Sequence, residues 1–181
     1  SRVQELTGDD GVIYSDVSEL EILTATLGKT SFSTNYGIVR GDINVGGITG
    51  AMAIDQEDPE ENAAGSVDIH LDANYTTQNI IHSCENSGYI TSKSDGAGGI
   101  AGFMRHGIIH ESKAYGSVES TGGNYVGGIC GQSLSMIRNC YVLTSLGGND
   151  CVGGVAGFGT TITNCVSMPV FLSHTGRFGA I

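Results

Sequence analysis

The sequence of 181 residues contains no tryptophan, only two prolines and only eight basic residues. Against 19 acidic residues, these basic residues leave a formal net charge of −11, which excludes nucleic acid as a partner held by bulk electrostatic attraction. No apolar run approaches the roughly 18 residues of a membrane-spanning helix, so we expect no membrane insertion by this segment. The sequence opens without Met, and we expect it to be part of a larger protein.

Motifs of the common enzyme classes are also missing. The sequence has no HExxH, GxSxG, P-loop or Rossmann fingerprint. Its five cysteines include no CxxC pair, so we interpret them as small apolar side chains rather than zinc ligands. We therefore expect no catalytic residue in this chain.

Glycine, in contrast, is abundant, with 29 residues, and gathers in a signature that first reads VGGITG from Val45. The signature returns in altered form at four later places, which begin at Ala97, Val126, Val152 and Phe178. The steps between them are 52, 29, 26 and 26 residues. A second apolar column follows the same period and consists of Ile81, Ile109, Ile137 and Ile162. Such a period indicates a repeat architecture, in which each unit buries its apolar face against its neighbours.

The residues between the glycines favour short strands, because Val, Ile, Thr and Tyr predominate there. A repeat of roughly 25 to 29 residues fits three short strands per coil, stacked in register on the coils above and below. We therefore predict an all-β fold, a right-handed parallel β-helix of about five coils. The predicted core consists of the repeat columns Val45, Ile48, Ile81, Ile100, Ile109, Val126, Ile129, Ile137, Val152, Val155 and Ile162.

Residues 1–28 differ from the repeats and are predicted to be a linker followed by a short helix, with the β-solenoid domain spanning residues 29–181. Asp16 and Glu19 have the spacing of a capping box, Leu20 and Leu23 lie on one face, and Gly28 is placed as a C-terminal stop. This helix would cover the open end of the first coil, as terminal caps of repeat proteins do.

An acidic insertion at residues 55–79 accounts for the longer first step. Because extra residues within a strand would break the register of neighbouring coils, we expect the insertion to leave the solenoid at a corner. Its candidate calcium ligands are Asp55, Glu57, Asp58, Glu60 and Glu61. Calcium prefers such oxygen donors, but the spacing is not that of an EF-hand loop, and a solvated acidic excursion is the alternative interpretation. We hypothesise that the insertion forms the distinctive contact surface of the chain.

One column of the repeat places His82 and His110 on adjacent coils, with Arg138 next. Two histidines without a third ligand are a weak metal site, so we interpret them as surface-exposed side chains. Two further columns contain Ser83, Glu111, Asn139 and Asn164, and Thr91 with Glu119. Neither column stacks two carboxylates, which argues against acid–base cleavage of a polysaccharide.

Corner geometry and thiol pairing follow from the same columns. Asn139 and Asn164 are expected at a corner in the left-handed region, which Asn tolerates. Cys84, Cys140 and Cys165 share the next column, and a disulfide between Cys140 and Cys165 is sterically allowed on adjacent coils. Unpaired buried thiols are the alternative.

The combination of VGGI-small-G with I-x-N-C at this period resembles the GLUG-type repeats of bacterial surface and secreted proteins. Some of these proteins are adhesin-like, and others accompany immunoglobulin A-specific metallopeptidases. The resemblance covers about residues 29–181 apart from the insertion. It implies an extracellular or cell-surface β-solenoid with no catalytic residue to carry over.

The leading hypothesis is a non-enzymatic structural or adhesion module of a secreted or cell-surface bacterial protein. Its partner would be a host or bacterial surface protein or a glycan, and no cofactor is expected apart from calcium. The alternatives are a carbohydrate-active β-helix of lyase or hydrolase type and an accessory domain of a secreted peptidase. We also predict end-to-end self-association at the C-terminal edge, because an exposed strand edge can template pairing with another chain.

Overall fold

The computed structural model describes residues 6–7, 13–14, 22–23, 28–52, 79–173 and 176–181. Two short strands, β1 (Leu6–Thr7) and β2 (Ile13–Tyr14), form an antiparallel pair. Ile22 and Leu23 are helical, and no helix in the described part of the chain is long and apolar enough to cross a membrane. All other described elements are β-strands that pair in parallel.

Five short strands follow one another along each coil. The first coil contains β3 (Lys29–Ser31), β4 (Thr34–Asn35), β5 (Ile38–Gly41), β6 (Val45–Gly46) and β7 (Thr49–Met52). The next contains β8 (Ile80–His82), β9 (Glu85–Asn86), β10 (Tyr89–Ser92), β11 (Ala97–Gly98) and β12 (Ala101–Met104). It is followed by β13 (Ile108–His110), β14 (Lys113–Ala114), β15 (Ser117–Ser120), β16 (Val126–Gly127) and β17 (Cys130–Arg138). The chain continues with β18 (Tyr141–Val142), β19 (Ser145–Gly147), β20 (Val152–Gly153), β21 (Ala156–Thr163), β22 (Val166–Ser167), β23 (Val170–Ser173) and β24 (Phe178–Gly179).

These strands stack into four parallel sheets, which together form a β-solenoid. Three of the sheets contain five strands each, in the orders β23-β19-β15-β10-β5, β24-β20-β16-β11-β6 and β22-β18-β14-β9-β4. The fourth sheet, called the junction sheet below, contains the first and the last strands of the coils, in the order β3-β8-β13-β17-β12-β7 with β21 beside β17. In β17 and β21 the last strand of one coil continues without a break into the first strand of the next. From Ile80 the chain winds through three coils without interruption.

The expectation of three strands per coil was therefore wrong. The segment that begins at the repeated Ile is divided by a corner residue in the left-handed region, such as Ser83 with φ 50° between β8 and β9. The glycine signature is divided by a bend between Gly98 and Ala101, without a left-handed residue, so that β11 and β12 belong to different sheets. Strands of two residues show no alternation of apolar and polar side chains, and periodicity alone does not separate them.

The repeat columns fill the interior of the solenoid. Ile81, Ile109 and Ile137 pair in register on consecutive coils and are almost fully buried. Nine of the eleven predicted core residues are buried, and Ile48 and Ile162, on the outer coils, are partly buried. Burial of one such side chain contributes roughly 1.5–3 kcal/mol to the free energy of unfolding. Stacked apolar columns are therefore the main support of the fold.

The glycine signature is required by the close approach of neighbouring coils. A Cβ added at Gly99 would contact the carbonyl oxygen of Gly128 on the next coil, and one added at Gly128 would contact the carbonyl oxygen of Gly154. These glycines have no left-handed φ, so the requirement is for space rather than for an unusual backbone conformation. The signature therefore recurs in the sequence because the same close backbone contact recurs between successive coils.

Of the predicted N-terminal capping helix, only Ile22 and Leu23 belong to the described residues, so that helix stays a prediction. Ile22 is fully buried and packs on the outer face of the junction sheet against Ile80 and Ile108. The ammonium of Lys29 donates to the carbonyl oxygens of Ile22 and Leu23 at 2.7 and 3.1 Å. The first coil is therefore linked to the segment that precedes it.

Most of the acidic insertion, residues 55–78, lies outside the described residues, and with it the five candidate calcium ligands. The strands on either side remain in register with the next coil: Met52 pairs with Met104, and Ile80 pairs with Ile108. The insertion thus connects β7 to β8 at the position where the next coil connects β12 to β13 with only the three residues 105–107.

Candidate functional site

One corner of the solenoid is built from residues in the left-handed region. These corner residues are Phe32, Ser83, Glu111, Asn139 and Asn164, with φ between 50 and 56°. Asn139 and Asn164 have the conformation that was predicted from their short polar side chains. Because the same corner recurs on each coil, the side chains of this column lie one above the other along a single edge.

A ladder of hydrogen bonds follows this edge. Asn164 Nδ2 donates to Asn139 Oδ1 at 2.7 Å, so Asn139 presents its own Nδ2 to His110 Nε2 at 2.9 Å. His110 Nε2 is therefore an acceptor, and the proton of the neutral imidazole lies on Nδ1. That Nδ1 is 3.2 Å from Nδ1 of His82, which must accept. His82 then carries its proton on Nε2, 3.3 Å from the hydroxyl of Ser83.

The two histidine rings face each other through these nitrogens. Their planes differ by 13° and their centroids are 5.3 Å apart, much farther than the two Nδ1 atoms. This geometry belongs to a hydrogen bond directed along the ring planes rather than to face-to-face stacking. For neutral imidazoles, hydrogen bonding from Asn139 to Ser83 thus selects one tautomer of each ring.

His82 and His110 are both 2% exposed, so the expectation of surface histidines was wrong. They lie on the outer face of the junction sheet, where Phe32 contacts the His82 ring edge-on at 5.5 Å. Burial lowers the pKa of His82, the nearby positive charge of Lys29 lowers it further, and the carboxylate of Glu111 opposes both effects.

A shallow polar groove of about 350 Å³ opens beside the ladder. It is lined by Ser83, Cys84, Glu85, Glu111, Lys113 and Asn139. Glu85 and Lys113 are register partners on β9 and β14, and the half-exposed carboxylate of Glu111 accepts a hydrogen bond from the Ser83 hydroxyl at 3.3 Å. Two carboxylates thus line one groove although they belong to neighbouring columns. Comparison of residues within single columns does not reveal this pairing, because Glu85 and Glu111 belong to different columns.

The corner contains a possible set of metal ligands. One ligand atom from each of His82, His110 and Glu111 lies within 4.8 Å of the others, so the structure supplies the third ligand that the sequence did not. However, the Nδ1 atoms point at each other with a proton between them, and His110 Nε2 accepts from Asn139. A metal would have to displace these hydrogen bonds beside the positive charge of Lys29. The arrangement therefore fits a proton-linked ladder better than a metal centre.

The other candidates from the sequence are not members of the hydrogen-bond ladder. Thr91 and Glu119 are register partners on β10 and β15, in a different sheet. Cys84, Cys140 and Cys165 form the column that follows the corner, and all are free thiols. Arg138 pairs in register with His110, and its Nε and Nη2 are buried without a hydrogen-bond partner.

The described strands define the chain as a parallel β-solenoid, and a comparison with solved structures agrees with this class. The chain is similar to the crystal structure of a putative immunoglobulin A1 protease from Bacteroides ovatus, with a TM-score of 0.56 and 22% sequence identity. The match covers 84% of this chain and 50% of that one, so this chain spans half the length of its structural neighbour. At this identity the likeness shows the fold alone. No protein-family model and no curated protein matches the chain, and the GLUG resemblance is not confirmed.

Proposed function

We propose that this chain is a non-enzymatic β-solenoid module of a secreted or cell-surface bacterial protein, where it acts as a rigid spacer, adhesion surface or accessory domain. The observation that carries the proposal is the hydrogen-bond ladder between Asn164 and Ser83. Its polar groups bind one another along the stack instead of converging on a substrate. They reinforce the register of the coils, which is a structural task.

Two further observations support this role. The Bacteroides ovatus protein contains a similar fold as half of a longer chain, which is the arrangement expected of an accessory domain. Parallel coils that repeat one backbone contact also make a rigid rod whose length grows with the number of repeats. The finer predictions, about five coils, a helix over the first coil and a relationship to GLUG repeats, belong to this proposal.

A carbohydrate-active role is the second candidate, and the polar groove favours it. Glu85, Glu111 and Lys113 line this groove together. A pair of carboxylates can act as general acid and base on a glycosidic bond, and a lysine can serve as the base of an elimination. Turnover would require a substrate to enter this groove.

The experiment is a screen for turnover and binding on the same sample. The purified chain is incubated with immunoglobulin A1 and with acidic and neutral polysaccharides. Peptide cleavage is followed by gel electrophoresis, hydrolysis by new reducing ends and elimination by the ultraviolet absorbance of unsaturated sugars. We expect no turnover, together with measurable binding to a surface protein or glycan by the immobilised chain.

Matched variants separate the two candidates. Glu85→Gln and Glu111→Gln preserve side-chain size and remove the carboxylates of the groove, while Glu119→Gln removes a carboxylate on a different sheet. Turnover that is lost in the first two variants and kept in the third would replace the structural proposal by the carbohydrate-active one. Binding without turnover, unchanged in all three variants, would support a module that acts through its surface.

Self-association is a further part of the proposal. In the described part of the chain, β22, β23 and β24 are the outermost strands of their sheets. Val170, Leu172 and Phe178 on these strands are more than half exposed. An apolar strand edge of this kind can pair with the first coil of a second copy, head to tail. Sedimentation velocity should then show oligomers that grow with concentration, whereas a monomer at all concentrations would contradict this part.

A further inference from the structure

Cys140 and Cys165 occupy the same position on consecutive coils. The residues that follow them, Tyr141 and Val166, pair in register on β18 and β22. Cys140 is buried, whereas Cys165 is only partly buried. The backbone N–H of Cys140 donates to Cys165 Sγ at 3.4 Å, so the sulfur of Cys165 already lies against the coil of Cys140.

The separation of the two residues suits a disulfide. Adjacent parallel strands lie about 4.8 Å apart, within the roughly 4.4–6.8 Å between Cα atoms that disulfides span. Cys165 Sγ also lies 4.0 Å from the carbonyl oxygen of Ile137, one coil back. Cys140 Sγ lies 3.3 and 3.7 Å from the carbonyl oxygens of Arg138 and Ile109.

The environment of the pair makes one thiol the nucleophile. The thiol and the backbone N–H of Cys140 both donate to Cys165 and lower its pKa to about 7, although partial burial opposes this. The pKa of Cys140 is raised by the same interaction and by burial. The thiolate is the reactive form of cysteine, and here it forms on the more accessible residue.

We propose that Cys140 and Cys165 are a redox site that closes to a reversible disulfide and ties the coil of β22, β23 and β24 to the coil before it. The oxidant is a small-molecule disulfide of the glutathione type. The Cys165 thiolate attacks one of its sulfurs, forms a mixed disulfide and releases one small thiolate. Cys140 then loses its proton to solvent and attacks the sulfur of Cys165, which releases the second small thiol. In total, two protein thiols are oxidised to one disulfide, and the small disulfide is reduced to two thiols.

The other cysteines lack this arrangement. Cys84 belongs to the same column, but Ser112 lies between it and Cys140, so the two thiols are two coils apart. Cys130 is fully buried on β17, and burial raises its pKa to about 12. Cys151 lies at a different corner, with its N–H bonded to Asp150. The pairing is therefore specific to two of the five thiols.

The experiment titrates the full chain in buffers of reduced and oxidised glutathione, blocks the remaining thiols by alkylation and maps the peptides by mass spectrometry. We expect the number of alkylated cysteines to fall from five to three, with one linked peptide pair that contains Cys140 and Cys165. The oxidised chain should also resist proteolysis after residue 165 several-fold longer than the reduced chain.

Variants test the geometry. Cys84→Ser should leave the linked pair unchanged, and Cys165→Ser should abolish it. Ser112→Cys should create a competing bridge to Cys84 or Cys140, because it restores a thiol on the intervening coil. The proposal is overturned if oxidation of the wild-type chain stops at a mixed disulfide on Cys165, or if the linked peptides contain Cys151 instead. The wild-type mapping decides this even if a variant fails to fold.

Discussion

His82 and His110 face each other through their Nδ1 atoms at 3.2 Å, although 28 residues separate them in sequence. The contact exists because each histidine occupies the same position of its coil, and Ile81 and Ile109 beside them pair in register. Asn139 fixes the direction of the hydrogen bond from the other side. A repeat in the sequence thus places two imidazoles in one hydrogen-bond ladder, and protonation of His82 on Nδ1 would break its hydrogen bond with His110.

We predict that stability depends on pH through His82. Its pKa is lowered in the folded chain, whereas in the unfolded chain it lies near the ordinary value of about 6.5. Below that pH the unfolded state binds a proton that the folded state does not. The free energy of unfolding should therefore be unaffected above about pH 6.5 and should fall as the pH drops below it. Urea denaturation between about pH 5 and 8 measures this slope.

The matched comparison for this prediction uses a His106→Gln background. The pKa of His106 is lowered as well, by burial and by the charge of Arg105, so its own slope must be removed first. Adding His82→Gln to this background should make the stability curve flatter below about pH 6.5. An unchanged slope would mean that His82 titrates normally in the folded chain and that the ladder tolerates its charge.

We predict that Ile137→Ala destabilises the chain by about 2–5 kcal/mol, the range for large-to-small changes in a core. Ile137 is fully buried at the centre of its column, between Ile109 and Ile162. Leu134→Ala, on the same strand β17 but 44% exposed, should cost about 0.5 kcal/mol or less. Chemical denaturation of both variants measures the difference. Equal losses would mean that the interior column does not support the fold.

The glycine signature leads to a prediction about steric space. Gly128→Ala should destabilise the chain by at least about 1–3 kcal/mol, because the new methyl group would overlap the carbonyl oxygen of Gly154 and the side chain of Val142. Gly37→Ala is the matched control, since its Cβ would meet only the Asn35 side chain at 3.4 Å. Thermal unfolding by circular dichroism should separate the two. If Gly128→Ala were neutral, conformational freedom rather than space would explain the signature.

The parallel stacking could be predicted from the sequence because a solenoid converts sequence period into spatial register. Ile81, Ile109 and Ile137 are spaced by 28 residues and pair directly on neighbouring strands. The number of strands per coil could not be predicted, because two-residue strands such as β9 and β14 have no periodic pattern of their own. In such short segments, the backbone corners decide where one strand ends and the next begins.

The candidate site was harder to predict than the fold. The column of His82 and His110 was predicted, but its burial was not; Phe32 on the preceding coil contacts the His82 ring edge-on. The groove depends on Glu85 and Glu111, which belong to different columns. Residues within one column are related by the repeat, whereas contacts between columns depend on the angle of each corner. The groove could have been predicted by comparing residues of nearby columns on neighbouring coils.

The acidic insertion leads to the last prediction. Met52 and Ile80 flank it in register with Met104 and Ile108, and the next coil closes the same gap with residues 105–107. There, the N–H groups of Arg105 and His106 both donate to the carbonyl oxygen of Met52, and Gly107 has a φ of 110°. Replacing residues 53–79 by the link Arg-His-Gly should therefore preserve the β-rich circular dichroism and a cooperative unfolding transition.

If the insertion binds calcium, that binding should be lost in the shortened chain, because the candidate oxygen donors are Asp55, Glu57, Asp58, Glu60 and Glu61. A wild-type chain that binds no calcium would favour the solvated acidic excursion. Isothermal titration with calcium chloride compares the shortened chain with the wild-type chain and with a full-length control in which these five acids are changed to Asn or Gln. The control keeps the length and removes the charge, so loss of binding in both variants would assign the cation to the carboxylates. Binding that survives in both would place the cation elsewhere. Loss of the fold in the shortened chain alone would mean that the segment is an integral coil of the solenoid, since a rigid stack tolerates the removal of a corner excursion but not of a coil.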